Sequence, residues 1–422
     1  MPTYEILSVG EELLCGLTTD TNATEISRGL REIGFSPAFR QTCGDDRDAL
    51  AACLRLALSR SDVILVTGGL GPTYDDVTRD AVAAVTEREL VFHEETAARI
   101  RAFFDRRGRP MADNNLLQAY VPSGGEVLPN DYGTAPGIWL ETGNRILVLL
   151  PGVPREMRAL FQEQVLPRLT EKYSGAGCVR ILHFFGITES ELDGRIPPSL
   201  KNGSDPAVAP FAGTGEVELH LSSFRESEAS AREAIREAER VLLADLGSYC
   251  YGADGDSLES VLVKRFSSHS LTLATAESCT GGLLSKRITD VPGASAVLRS
   301  GVVSYSEAIK TKILGVSPEL LAVDGVYSEA CAKAMARGVR DLTGSDFGVG
   351  ITGIAGPEGG TEKDPVGTVY IAVADSAGET AARFVLGHGK GERRFIRHLA
   401  SSHAIAMVLK AAGLFSGEKE EK

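Results

Sequence analysis

The sequence predicts an α/β protein with two domains built on mostly parallel sheets, flanking a small α+β module. Three observations carry this. Short continuous apolar runs (YEILSV at 4–9, DVILVT at 62–67, RILVLL at 145–150) suit strands buried on both faces. Helical patterns alternate with them over residues 1–168, as a parallel sheet requires. The alternation lapses near 168–178 (TEKYSGAG) and at 251–257 (YGADGDS), two Gly/Ser/Asp-bearing breaks, and at roughly 150 residues per domain a 422-residue chain makes about three domains.

Each element follows from local spacing. In the first domain, 1–168, Leu50, Leu54 and Leu58 recur every four residues and stack on one helix face. The middle module, 169–255, has an apolar run at 178–185 and strict alternation in EVELHLS at 216–222. A helix follows at 226–246, with Ala231, Ala234, Ile235, Ala238, Val241 and Leu242 as its apolar face. In the third domain, 256–415, LTLATA (271–276), FGVGIT (347–352) and VGTVYIAVA (366–374) read as strands. Helices are expected at 282–289, at 328–342 with Ala330, Ala334, Gly338 and Leu342 aligned, and at 390–412. Residues 416–422 form a charged tail.

Composition narrows the function classes. Apolar residues at 43% and charged residues at 24% are ordinary globular usage, which excludes a disordered or coiled-coil chain. Acidic residues outnumber basic ones 57 to 44, a net charge of -13 that repels nucleic-acid backbones and anionic lipid. The seven cysteines, at 15, 43, 53, 178, 250, 279 and 331, form no CxxC pair, which fits reduced thiols in the cytoplasm. No apolar run is long enough to span a bilayer, and MPTYEILSVGEELL lacks a basic leader, so neither a membrane helix nor a signal peptide is expected.

Two turns could carry chemistry. After the strand at 62–67 comes Thr67-Gly68-Gly69-Leu70-Gly71-Pro72-Thr73, opening a helix. Gly68, Gly69 and Gly71 let a ligand approach the backbone, where free N–H groups favour an anion. Asp75 and Asp76 follow this turn, Asp45 and Asp46 follow the neighbouring strand in CGDD, and Glu12 ends the first strand. Such carboxylates suit Mg²⁺ or a similar divalent ion held between protein and pyrophosphate. The alternative is plain helix capping by Asp46 and Asp75. LPGVPREM (150–157) ends another strand, and GTAPG lies at 133–137. REIGF at 31–35 imitates part of a Nudix box but lacks its paired glutamates, so pyrophosphate chemistry here would use another fold.

The second turn is Ala276-Glu277-Ser278-Cys279-Thr280-Gly281-Gly282, again between strand and helix. A serine at such a corner has backbone N–H groups nearby as an oxyanion hole; the alternative is a helix-capping turn. Tyr305 and Lys310 lie in SYSEAIK, and no histidine is close to either segment, so Ser–Lys chemistry is the arrangement available. That lysine must lose its proton near neutrality, a depression of about three pKa units or roughly 4 kcal/mol, supplied by burial and a cationic neighbour. Cys279 is a rival nucleophile, and alternation of side chains prevents both from facing one ligand.

With these motifs in order, GEELLCGLTTDTN, VTGGLGPTYDDVTRDA, LPGVPREM, AESCTGGLLSK and ITGIAGPEGG with PVGTVY, the chain resembles the full-length CinA family over nearly its whole length. The resemblance implies a molybdopterin-binding-like first domain with metal-dependent ADP-ribose pyrophosphatase activity. It implies a KH-type middle module, although GTGE at 213–216 is no basic GxxG loop and RNA is not an expected partner. The third domain is similar to the nicotinamide-nucleotide amidase, which converts NMN to nicotinate mononucleotide and ammonia without a cofactor. Matched by position, Ser278 is the family nucleophile, with Tyr305 and Lys310 as the base pair. Thr280, Gly281, Gly282, Thr352, Gly353, Arg393 and Arg397 then hold substrate. In the first domain, Gly68, Gly69 and Gly71 bind the ligand, and Asp45, Asp76 and Glu12 the metal. The alternatives are an amidase with a non-catalytic first domain, or a non-catalytic competence- or damage-related regulator. The expected partners are small nucleotides and a second copy of the chain, with no membrane.

Overall fold

The structure is a computed structural model that describes every residue except 1, 36, 174–175, 202, 390–391 and 417–422. The first two positions of the helix expected at 390–412, and nearly all of the charged tail, therefore lie outside the described residues. The chain divides into two compact units, Met1–Val179 with Ser222–Glu233, and Arg180–Leu221 with Ala234–Lys422.

The first unit is built on a six-stranded sheet in the order Pro37–Cys43, Tyr4–Val9, Val63–Thr67, Arg145–Leu150, Gly137–Thr142, Glu126–Leu128. The first four strands are parallel. The last two join antiparallel. The continuous apolar runs serve two cores by alternation. Tyr4, Ile6, Val63, Leu65, Ile146 and Val148 enter one core. Leu7, Val9, Ile64, Val66, Leu147 and Leu149 enter the other. This is the period-2 geometry of a strand covered on both faces, and it puts the loops after residues 9, 43, 67 and 150 on one edge of the sheet.

From Ala176 onward the chain forms two sheets. One runs Ala207–Ala212, Glu216–Arg225, Ala176–Phe185, Cys250–Ala253. The GTGE segment is the tight connection between its first two strands, closed by Gly213 N–H donating to the Glu216 carbonyl at 2.8 Å. The other sheet runs Leu298–Val303, Leu273–Glu277, Phe347–Gly353, Thr368–Ala374, Glu379–Val385. Its first three strands are parallel and its last two antiparallel, so it is less parallel than the sequence predicts. The strands Leu298–Val303 and Glu379–Val385, with exposed alternate residues, give no continuous apolar run to read.

Two helices differ from expectation in the face they bury. On Glu329–Thr343 the buried residues are Cys331, Ala332, Met335, Ala336 and Val339, while Leu342 is exposed, so the expected stripe through Ala330 and Leu342 is not the core face. On Glu228–Leu246, Ala231, Ile235, Ala238 and Leu242 are buried but Val241 faces out. Phe185 and Tyr251 share a core with the residues of the last sheet and helices, so the break read at 251–257 begins with a packed ring. Glycine sets how closely Glu329–Thr343 lies on its strand. A Cβ at Gly348 or Gly350 would fall 2.1 or 2.2 Å from the carbonyl oxygen of Ala336 or Ala332, and one at Gly338 would fall 2.0 Å from that of Leu314.

Candidate active sites at two strand ends

In the second unit, the strand Leu273–Glu277 is hydrogen-bonded between two parallel neighbours to its last residue. Ser278 N–H donates to the Ile351 carbonyl and Ser304 N–H to that of Glu277, both at 2.9 Å. The chain then turns through Gly281 and Gly282, both at positive φ, into the helix Leu283–Thr289. The fully buried Glu277 fixes that turn: its carboxylate accepts from Leu284 N at 3.0 Å, Ser285 N at 2.8 Å and Ser285 Oγ at 2.7 Å.

This places Ser278 against Lys310. Lys310 Nζ donates to Ser278 Oγ at 3.1 Å and to the Ser304 carbonyl at 2.6 Å. The lysine is 2% exposed and the serine 7%. Burial holds the Lys310 ammonium below its ordinary pKa, against weaker opposing effects of Cys331, Cys279 and Glu307. Burial alone depresses it; the expected cationic neighbour is not among the groups acting on it. Cys279 points the other way, into the core. Burial pushes its thiol up to about 12, which removes the thiolate that a cysteine nucleophile needs.

The remaining residues expected here divide into two sets. Arg397 donates from Nε and Nη2 to the Thr280 carbonyl at 3.2 and 2.5 Å, binding the last helix to the turn. Arg393 donates to the Gly356 carbonyl at 2.7 Å and to the Tyr305 hydroxyl at 3.0 Å. Tyr305 is 62% exposed, and the hydrogen bond described for its hydroxyl is to Arg393, not to Ser278 or Lys310. Thr352 and Gly353 end the adjacent strand, where Thr352 Oγ1 donates to the Val326 carbonyl at 2.7 Å. Gly281 N–H is already used, donating to the Ser278 carbonyl at 3.0 Å. Among the described residues the Thr280 and Gly282 amides and the buried Thr280 hydroxyl make no hydrogen bond, so this turn offers donors at 280 and 282 rather than at Gly281.

In the first unit, the turn after Val63–Thr67 is closed on a carboxylate. Asp76 accepts from Gly71 N at 2.7 Å, Thr73 N at 2.8 Å and Thr73 Oγ1 at 2.5 Å. Gly68 N–H goes to the Leu150 carbonyl. The amides of Gly71 and Thr73 are thus spent on Asp76, leaving those of Gly69 and Leu70 without a partner among the described residues. The glycines are sterically required: a Cβ at Gly68 would meet the Val9 carbonyl oxygen at 2.1 Å, and one at Gly69 the Thr78 hydroxyl at 2.3 Å. Arg79 reinforces the turn, donating to the Leu70 and Gly71 carbonyls at 2.6 and 2.9 Å.

Asp45 accepts from Glu11 N at 2.9 Å, and Asp46 caps the helix Arg47–Arg60 through Ala49 N, as the capping reading expects. Burial raises the Asp45 pKa, with further contributions from Glu12, Asp75 and Asp76, so these carboxylates act on one another. Among the described residues no three of them meet as a chelating group. The arrangement fits Mg²⁺, which takes one or two carboxylates and completes its shell with water and substrate phosphate. Two polar side chains that the sequence reading gave no role also sit on this edge. Asn22 donates to Thr67 Oγ1 and to the Gly152 carbonyl at 3.0 and 2.8 Å. Glu156 lies in the first turn of the helix Pro154–Leu160. Their only sequence sign is their place inside TDTN and PREM.

Family models cover the chain in sequence. The "Probable molybdopterin binding domain" matches residues 5–171, the "Damage-inducible protein CinA KH domain" 179–252, and the "CinA C-terminal domain" 255–412. A competence-damage inducible protein of Acetivibrio thermocellus is 42% identical over 404 residues, covering 96% of this chain and 97% of that one. This chain belongs to the CinA family. A CinA-like protein of Dictyoglomus thermophilum is 44% identical over 369 residues, covering 87% of this chain and 90% of that one. A solved CinA structure from Thermoplasma acidophilum is 32% identical, covers 41% of this chain and 97% of that one, and has a TM-score of 0.37. Among the described residues no helix is long and apolar enough to cross a membrane.

Proposed function

We propose that this CinA protein is a hydrolase with two reactions, NMN deamidation in its C-terminal domain and divalent-metal-dependent ADP-ribose hydrolysis in its N-terminal domain. The observation that carries the first is the buried Ser278–Lys310 pair, with Nζ 3.1 Å from Oγ. Burial lowers the proton affinity of the lysine, and in its neutral form it accepts the serine proton as Oγ attacks the carboxamide carbon. The cationic pyridinium ring makes that carbon more electrophilic. The amides of Thr280 and Gly282 lie on the same turn to receive the oxyanion. Lysine then returns the proton to the departing ammonia, and water releases nicotinate mononucleotide. Arg393, with Tyr305 on its guanidinium, supplies a cation for the 5′-phosphate. Tyr305 thus serves the phosphate end in this reading and not the base.

In the N-terminal domain, one or two of Asp45, Asp76 and Glu12 would hold the divalent ion, which supplies charge neutralisation to the pyrophosphate when bound. The Gly69–Leu70 amides face the same phosphates. Cytoplasmic location and a homodimer accompany the reading. The test is to offer NMN and ADP-ribose separately to purified protein, with and without EDTA. Ammonia release that survives EDTA, and AMP release that does not, support both assignments. EDTA-sensitive deamidation overturns the first, and AMP release with EDTA present overturns the second.

A further inference from the structure

The loop Pro129–Pro136 is organised around one side chain that nothing above uses. Asn130 Nδ2 donates to Glu156 Oε2 at 2.6 Å and to the Ala135 carbonyl at 2.8 Å. Its Oδ1 accepts from Tyr132 N and Gly133 N, both at 3.0 Å. Each hydrogen-bonding position of the amide nitrogen is therefore filled, and the loop is folded onto Glu156. Gly133 packs directly against that carboxylate: a Cβ there would fall 2.0 Å from Oε2 and 2.4 Å from Oε1. A glycine and an asparagine thus hold a glutamate under a loop, on the sheet edge that carries Gly68–Asp76 and Asp45.

The Asn130 hydrogen bond is the structural duty described for Glu156, and it uses one of the two carboxylate oxygens. Its position in the first turn of Pro154–Leu160 is that of a capping glutamate, yet that helix makes no side-chain cap. It forms no ion pair with Arg155 or Arg158; Arg158 pairs with Glu25, and Arg155 lies over the Tyr132 ring. The one charged group that acts on it is Arg107, in the turn after the helix Glu94–Asp105. Burial raises its proton affinity, and the Asn130 hydrogen bond and Arg107 pull it back only in part. A carboxylate of raised basicity, unpaired and held at the ligand edge of a sheet, is what general-base catalysis requires.

We infer that Glu156 accepts the proton of the attacking water in the N-terminal hydrolase reaction, with Asn130 as its positioning residue. This rests on the ADP-ribose reading above. As the water oxygen bonds to one phosphorus of the pyrophosphate, one of its protons passes to Glu156. The bond from that phosphorus to the bridging oxygen breaks, and the electron pair leaves on the departing phosphate. The second proton of the water ionises from the new phosphate, and Glu156 releases its own to solvent.

The test measures AMP release from ADP-ribose with Mg²⁺ across pH on the full chain, for wild type, Glu156→Gln and Asn130→Ala. A base works only when deprotonated, so wild-type kcat/KM falls as pH drops through its pKa, at a pH above that of an ordinary glutamate. Glu156→Gln should lose about 100-fold in kcat with little change in KM, and should lose this acid limb. Asn130→Ala removes a donor that favours the ionised form, so its acid limb should move to higher pH. NMN deamidation by the same variants, together with their melting temperature, reports that the chain is folded. Glu156→Gln within about threefold of wild type with its acid limb intact overturns the inference while leaving the ADP-ribose reading standing. A wild type that releases no AMP overturns both.

Discussion

Two glycine turns in this protein, 67–76 and 276–282, leave parallel strands in the same way, and each is held by a carboxylate on amides and an arginine on carbonyls, with the carboxylate placed differently. The first has a carboxylate inside it: Asp76 takes the amides of Gly71 and Thr73. The second has its carboxylate at the strand end: Glu277 takes the amides of Leu284 and Ser285 in the helix beyond, and the Thr280 and Gly282 amides stay open. A turn filled by a carboxylate repels a bare anion and welcomes one that arrives with a cation. A turn whose carboxylate binds beyond it keeps its own amides open. The glycines give both the same backbone path, and the place of the carboxylate decides which amides are left.

The largest effect that sharpens this contrast is expected at Ser278. Ser278→Ala should lower ammonia release from NMN by at least about a thousandfold, with the melting temperature nearly unchanged and ADP-ribose hydrolysis intact. In the wild type that release should rise with pH, because Lys310 acts as a base once neutral. Burial sets the rise below the ordinary lysine range. Next comes Asp76→Ala, which opens the first turn and removes a carboxylate proposed to hold the metal. AMP release should fall by about 100-fold and require more Mg²⁺ to half-saturate, while deamidation stays the same. If extra Mg²⁺ restores nothing and the protein melts much earlier, Asp76 serves the turn alone. Arg397→Ala should cost about tenfold in deamidation, mostly in kcat, since its contact is with the turn; a pure rise in KM would make it a phosphate contact instead. Smallest is Cys279→Ala, with turnover within about threefold of wild type and no protection lost against thiol reagents. A dead Cys279 variant beside an active Ser278 variant would reverse the assignment.

Much of this was legible from residue order. Strands such as RILVLL are readable because a strand covered on both faces is apolar without interruption. The half-exposed strands at 298–303 and 379–385 are not, since one face meets solvent. Ser278 and Lys310 could be singled out by type and by the absence of histidine nearby. Their approach across 32 positions depends on the helix Glu307–Leu314 lying over Ser304, which no local pattern encodes. The family resemblance pairs Tyr305 with Lys310, whereas the fold turns its hydroxyl toward Arg393. Glu277, Arg79 and Asn130 act through backbone amides and carbonyls, and a sequence carries no mark of which backbone groups are left to satisfy.

The glycines of the strand Phe347–Gly353 set how closely a helix packs in the layer that includes the helix of Lys310. The helix Glu329–Thr343 can lie on that strand only because positions 348 and 350 have no side chain, and it carries Cys331, one of the groups that act on the lysine. Its Met335 and Val339 share a core with Leu314, the last residue of the helix that holds Lys310. If this packing sustains the burial of Lys310, the spacing of the layer is expected to affect its basicity from a distance. A single methyl group at Gly350 would lift the helix, hydrate the amine and return it toward ordinary lysine behaviour. The acid limb of deamidation would then move to higher pH in a protein whose serine and lysine are both untouched, and a pH–rate profile of Gly350→Ala reads that shift directly.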